Sequence, residues 1–275
     1  MVNRITEEEI IELLKSDEIT KFLREDILKL NIMGFIPARK GSKGVPRKNV
    51  RNLLGKPVIS YTIEAALAAN LLDHIVISTD DPYAMEISQQ YDVTLIERPH
   101  KLATCEARID DAIRHCCIEM EKKHQYTPDI IVLLYANIPV RAFGIIDRTI
   151  QKLIDTEADS VQTMSPIGKF HPYWLYKLDN DKASVYIKNN NYRRQELPPV
   201  YAIDGAVAAV TKKSLFADNN SSDPHDFWGN DRRGLKQEAH ETVDIDSLRD
   251  FLLAEATLRE IALRTQKPET LTVRI

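Results

Sequence analysis

Four stretches of this chain are largely apolar and show no regular polar alternation: IMGFIPA (32–38), HIVISTD (74–80), VTLIER (93–98) and DIIVLLYA (129–136). A strand with one face in water alternates apolar and polar side chains. These runs do not, so both of their faces must be covered. Segments with helical spacing lie between and after them: PVISYTIEAALAAN, whose proline suits a first helical turn, then DPYAMEISQQY, IDDAIRHCCIEMEKK and GIIDRTIQKLIDTE. Buried strands alternating with helices predict an α/β fold, a mostly parallel, Rossmann-like sheet covered by helices on both faces. Ligands of such sheets bind at the carboxyl ends of the strands.

SVQTMS (160–165) extends the sheet, and beyond it the pattern loosens. ASVYIKN (183–189) and AVAAVTKK (206–213) read as strands. RRQELPPVY (193–201) reads as a proline-stiffened loop, and NNSSDPHDFWGNDRRG (219–234) as a turn-rich surface loop. SLRDFLLAEATLREIAL closes the pattern as a helix. The expectation is one domain over 32–275 with a small inserted substructure around 165–203. Residues 1–31 read as a helical N-terminal extension. Thr6 and Glu9 form a capping box there, and Ile10, Ile11, Leu13, Leu14, Phe22, Leu23, Ile27 and Leu30 keep a helical spacing.

The formal charge of -4 argues against non-specific nucleic-acid binding, which needs a broad basic surface. No apolar run approaches the ~18 residues needed to span a bilayer, and the acidic N-terminus does not resemble a signal peptide. A cytoplasmic protein without a membrane partner is expected. Cys105, Cys116 and Cys117 form no C-x-x-C, which speaks against a zinc site or a disulfide framework.

Against this acidic background, six cations stand between Arg39 and Arg51 with no acid among them. They follow the first strand, where the fold rule places a ligand. Gly41 and Gly44 permit tight turns and close approach. Ser42 and the loop's N–H groups suit an anion nest. Arg39 and Lys48 can neutralise a polyphosphate. The kinase-type phosphate loop G-x-x-x-x-G-K-[ST] and the dinucleotide fingerprint G-x-G-x-x-G are both absent. The partner should be small and anionic; the bland alternative is a solvated basic loop. A second charged group is Asp244 and Asp246, in TVDIDSL. Two apart in extended chain, they face one side and could share a Mg²⁺ with substrate phosphates. They could equally cap the following helix.

At these residues the chain resembles the acylneuraminate cytidylyltransferases, or CMP-sialic acid synthetases, which read I-P-A-R-G-G-S-K-G-I-P-x-K-N where this chain has IPARKGSKGVPRKN. VISTDD (76–81), ERPHKLAT (97–104), RRQELPPVYAIDGA (193–206) and TVDIDSLRDFLLAE (242–255) match further family motifs in order, over roughly residues 32–262. The resemblance implies a nucleotidyltransferase fold that binds CTP and an acidic nonulosonic-type sugar, with Mg²⁺ as cofactor. It implies that Arg39, Gly41, Ser42, Lys43 and Lys48 surround the phosphates and that Asn49 and Arg98 contact the nucleotide. It implies that Asp244 and Asp246 hold the metal, with Arg39, Lys48 and Asp246 central to catalysis. Arg194 and Gln195 match the segment that approaches the sugar. The family commonly dimerises through its inserted substructure, so a homodimer is expected.

The chain also departs from that pattern. The family's Q-P-T-S-P-L-R is here YANIPVR (135–141), with Tyr135 for the glutamine and Ile138 for the serine. N-G-A-I-Y is DGAVA (204–208), ending in Ala208, and A-T-D is ATC, ending in Cys105. The CTP motifs stand while the sugar-side motifs drift, which leaves the acceptor open. An octulosonate or another modified acidic sugar is the alternative, and a non-catalytic nucleotide-binding module a further one. KFHPYW (169–174) reads either as a pocket wall, with His171 bonding a sugar hydroxyl, or as an aromatic core cluster.

Overall fold

The computed structural model describes residues 30–41, 44–217 and 223–266. The helical extension expected up to residue 31 therefore lies almost wholly outside the described residues, as do Ser42 and Lys43. The central strands are β1 (Ile32–Pro37), β2 (His74–Thr79), β3 (Thr94–Glu97), β4 (Ile130–Leu133) and β5 (Ser160–Pro166). A hairpin of β6 (Tyr176–Asp179) and β7 (Lys182–Val185) follows, then β8 (Tyr201–Thr211) and β9 (Arg232–Lys236). The helices are α1 (Val58–Leu67), α2 (Pro82–Ser88), α3 (Ile109–His124), α4 (Ile145–Thr156), α5 (Lys212–Leu215) and α6 (Leu248–Gln266). Among the described residues no helix is long and apolar enough to cross a membrane.

The main sheet runs β9-β5-β8-β4-β1-β2-β3. β8 is antiparallel to both of its neighbours, and the other pairings are parallel. Successive side chains of a strand point to opposite faces, so an apolar run feeds two cores at once. Ile32 and Ile36 of β1 with Ile130 and Val132 of β4 pack under α1 and α4. Met33 and Phe35 with Ile131 and Leu133 pack under α3. A third, smaller cluster joins Val45, Leu53, Val58, Val140, Val243, Ile245 and Phe251 at the rim.

The later part of the chain differs from the sequence expectation in three places. The strand expected at 183–189 is shorter, and it pairs with Tyr176–Asp179 in a hairpin exposed on both faces. The strand expected from 206 begins at Tyr201 and carries a bulge between Ile203 and Ala208. The surface loop expected over 219–234 turns into β9 at Arg232, an edge strand parallel to β5. β9 is short, largely exposed and basic at its start, so no apolar run marks it.

Asp159 anchors that edge. Its carboxylate accepts from Asn230 N at 2.8 Å, Asp231 N at 2.9 Å and Ser214 Oγ at 3.0 Å. The backbone N–H of Asp231 is foremost in holding its pKa below the ordinary carboxylate value. A depressed folded pKa contributes stability at neutral pH that is lost as pH falls through it. Asp159→Ala should therefore cost about 1–3 kcal/mol near pH 7 in a urea titration. The gap from the parent should close in acid; a constant gap across pH would contradict this role.

Candidate functional site

The cationic loop leaves β1 at Ala38, whose carbonyl accepts from Thr79 Oγ1 at 2.5 Å. Lys40 N donates to Asp80 Oδ1 at 2.8 Å, tying the loop to the end of β2. Arg47 turns the chain in the left-handed region, and the short helical turn Lys48–Val50 follows. The loop thus stands at the carboxyl ends of β1 and β2, as the fold rule requires.

Residues 243–246 come to the same place from far along the chain. Val243 forms an isolated antiparallel bridge with Val140, and Ile245 N donates to Asn137 O at 3.0 Å. Val243 and Ile245 point into the rim cluster, so Asp244 and Asp246 point together to the other side. Lys48 Nζ donates to Asp246 Oδ1 at 2.6 Å and to Ile245 O at 2.9 Å. A Cβ on Gly44 would lie 2.0 Å from Asp246 O. The need for glycine at 44 therefore comes from the chain's own backbone, not from a ligand. Gly41 has no such constraint: a Cβ there would meet only Arg39 Nη1, at 3.4 Å.

Between these segments opens a cleft of about 580 Å³, lined by Arg39, Gly41, Gly44, Lys48, Asn49, Arg98, Tyr135, Asn137, Asp244 and Asp246. A larger hollow of about 930 Å³ lies between α1, α4 and α6. Its walls are richer in apolar side chains, chiefly alanine and isoleucine with Phe143, although Asp147, Glu241, Glu260 and Arg264 also line it; the smaller one is where the loop cations Arg39 and Lys48 meet Asp244 and Asp246. Arg39 Nη1 donates to Cys105 Sγ at 3.5 Å across it. Arg98 is buried, and its Nε and Nη2 hold Ser78 Oγ and O at 3.0 and 2.9 Å. Burial pulls its pKa below the usual guanidinium value. Asn49 is buried too. Its Nδ2 donates to Arg39 O at 3.4 Å, while its Oδ1 has no partner among the described residues. A buried unpaired acceptor at a cleft wall is suited to a donor on a ligand.

Asp244 reaches solvent but sits where the cleft walls displace water. That desolvation, and then the neighbouring Asp246, raise its carboxyl to about 6, with Lys48 opposing. Asn137 Nδ2 donates to Asp244 Oδ1.

The sugar-side residues are placed elsewhere. Arg194 and Gln195 lie on an exposed short turn and do not line the cleft. His171 is buried: its Nδ1 accepts from Tyr173 N at 3.1 Å, leaving Nε2 to donate to Pro198 O at 3.0 Å. Both ring nitrogens are engaged, so the expected bond to a sugar hydroxyl has no nitrogen to make it. Ile138 and Ala208 are core residues, so their drift from the family pattern does not touch the cleft. Tyr135 does line it. Asn137 and Arg141 are not singled out by the sequence reading; the signal for Arg141 is that it keeps the arginine ending the family's Q-P-T-S-P-L-R, while Asn137 stands in the departing part of that segment.

A family model described as Cytidylyltransferase matches residues 33–226. The chain belongs to the cytidylyltransferase family. It is 28% identical over 221 residues to the N-acylneuraminate cytidylyltransferase of Streptococcus agalactiae serotype V, covering 79% of this chain and 51% of that one. It is 30% identical to the CMP-N,N'-diacetyllegionaminic acid synthase of Legionella pneumophila, covering 82% and 95%. The chain thus spans about half the length of the streptococcal relative and nearly all of the Legionella one. Its fold is shared with a solved CMP:2-keto-3-deoxy-manno-octonic acid synthetase complexed with CTP, at TM-score 0.63 and 19% identity, covering 84% of this chain and 99% of that one. The family match ends at 226, so the place of Asp244 and Asp246 in the cleft rests on their geometry.

The raised pKa of Asp244 makes a stability prediction. A carboxyl whose folded pKa exceeds its unfolded value costs nothing while protonated in both states, and its cost is complete above about pH 6. Asp244→Asn keeps an oxygen for Asn137 and removes that cost. In chelator at pH 8 it should melt a few degrees above the parent, and near pH 4 the two should coincide. A lower midpoint at pH 8 would refute the assignment.

Proposed function

We propose that this cytidylyltransferase transfers CMP from CTP to the anomeric hydroxyl of an acidic nonulosonic-type sugar. The hydroxyl oxygen attacks the α-phosphorus, its proton passes to solvent, the bond from that phosphorus to the bridging oxygen breaks, and pyrophosphate leaves. The convergence of Arg39 and Lys48 with Asp244 and Asp246 in one cleft carries this reading. The names of the relatives, acting on acylneuraminate and legionaminic acid, point to the same acceptor class.

In this reading Arg39 and Lys48 stabilise charge on the departing diphosphate, with Ser42 and Lys43 on the same loop. Asn49 Oδ1 accepts from the cytosine amino group, and Arg98 backs the nucleotide from beneath. Arg194 and Gln195 meet the sugar from outside the nucleotide cleft, where a guanidinium suits a carboxylate. Tyr135 forms the wall beside Asp244.

The donor set fits a divalent cation. Two carboxylates share one side of an extended segment, and the ionised form of one is disfavoured until positive charge arrives. Asp244 and Asp246 would hold Mg²⁺, which when bound would neutralise phosphate oxygens. The same reading takes the reaction to be cytoplasmic, a setting that supplies CTP.

Pyrophosphate release from CTP and Mg²⁺ over a panel of nonulosonic acids and an octulosonate tests the reading. Release is expected with at least one nonulosonic acid, with UTP a poor substitute, and Asp246→Asn should lower turnover at least 100-fold, on the order of 3 kcal/mol. Release with the octulosonate alone would move the acceptor class. Absence of release with every sugar tested, together with CTP binding indifferent to Mg²⁺, would favour a non-catalytic module.

The same reading includes a homodimer. Phe170, Leu178, Tyr192 and Ile203 expose large apolar surfaces in and around the hairpin, and a second copy would cover them. Sedimentation velocity at micromolar protein should report a dimer that Leu178→Asp weakens; a monomer throughout would remove this part.

A further inference from the structure

Arg141 holds together the ground on which the aspartate segment stands. Its Nε donates to Ala206 O at 2.7 Å, its Nη2 to Tyr135 O at 2.9 Å and its Nη1 to Thr62 Oγ1 at 2.9 Å; Nη1 also donates to Ile138 O. The Thr62 hydroxyl faces the same two loop carbonyls at 3.2 Å each. The carbonyls of 135 and 138 flank Asn137, so the guanidinium closes the turn that presents it. Asn137 in turn grips the aspartate segment at Asp244 Oδ1, Ile245 O and Ile245 N.

The stem of Arg141 borders the apolar hollow, but its guanidinium is enclosed. Among the described residues it has no ion pair. Enclosing a charge without a partner is expensive, and carbonyls alone could be satisfied by neutral donors. The acid it interacts with electrostatically is Asp244, which belongs to a group with Asp246 and Asp250. The cation therefore stands behind Asp244, at the turn that carries Asn137.

We propose that Arg141 is a positioning residue for the aspartate pair, setting the turn at 135–138 and, through Asn137, the place of Asp244. This rests on the reading of Asp244 and Asp246 as metal ligands. Residues that orient metal ligands change metal affinity by about 10- to 100-fold when replaced.

The test is Mn²⁺ binding to the nucleotide-free protein, followed by the loss of the free-ion spin-resonance signal. The variants are Arg141→Lys, Asn137→Ala, the double variant, Asp244→Asn, and Leu153→Ala as a core substitution remote from the cleft. Asp244→Asn should lose most of the binding. Arg141→Lys should weaken it about 10-fold, and Leu153→Ala should leave it unchanged. If Arg141 works through Asn137, the double variant should bind no more weakly than Asn137→Ala alone. Should Arg141→Lys not fold, Thr62→Val loosens the same two carbonyls and should weaken Mn²⁺ in the same sense. Binding by Arg141→Lys equal to that of the core control, or additive losses in the double variant, would overturn the inference. Unchanged binding in Asp244→Asn would instead remove the metal reading, and this inference with it.

Discussion

Asp246 O lies where a side chain on residue 44 would be. That near-contact of two backbones, just over two hundred residues apart in sequence, brings the loop and the aspartate segment together at the cleft. The rim cluster holds it shut: Val45 from the loop, Val140 from the segment after β4, and Val243 and Ile245 from the aspartate segment bury one another there. Lys48 ties the polar edge of the same junction through Asp246 and Ile245. A loop of cations would otherwise repel itself and drift. Packed against two carboxylates, it is held open toward the cleft.

The cleft is built from charges that the fold does not neutralise fully. Asp244 is driven toward its protonated form by its walls and by Asp246. Arg98 and Arg141 are enclosed against the preference of a guanidinium for water. Such arrangements sacrifice stability at the place where a charged ligand restores the balance. In the proposed function that ligand is a cytidine nucleotide, and the cations of the cleft are suited to its triphosphate.

The buried strands were readable because each fills two cores, which forces an apolar residue at every position of β1 and β4. β9 was not, because an exposed edge strand needs no such run and its backbone pairing to β5 leaves no trace in side-chain type. The cationic loop was readable because its composition breaks sharply with an acidic chain. His171 stayed open between pocket wall and core cluster for a physical reason: a histidine with both nitrogens engaged by backbone has the same letter as one facing a ligand. The drift at Ile138 and Ala208 could not be placed from the letters either, since only the fold reveals that these positions are core.

Taken alone, the amino-acid sequence determined the layered α/β architecture and the place of the cationic loop after the first strand, and it offered, beside helix capping, a side-by-side orientation of Asp244 and Asp246. Each follows from local spacing: apolar runs, glycine positions and the two-residue repeat of extended chain. Only the tertiary structure decided that the aspartates face the loop, that Gly44 yields to a backbone and that Asn137 and Arg141 stand behind Asp244. Those are contacts between distant segments, and no local pattern encodes a distance that exists only after the chain has closed upon itself.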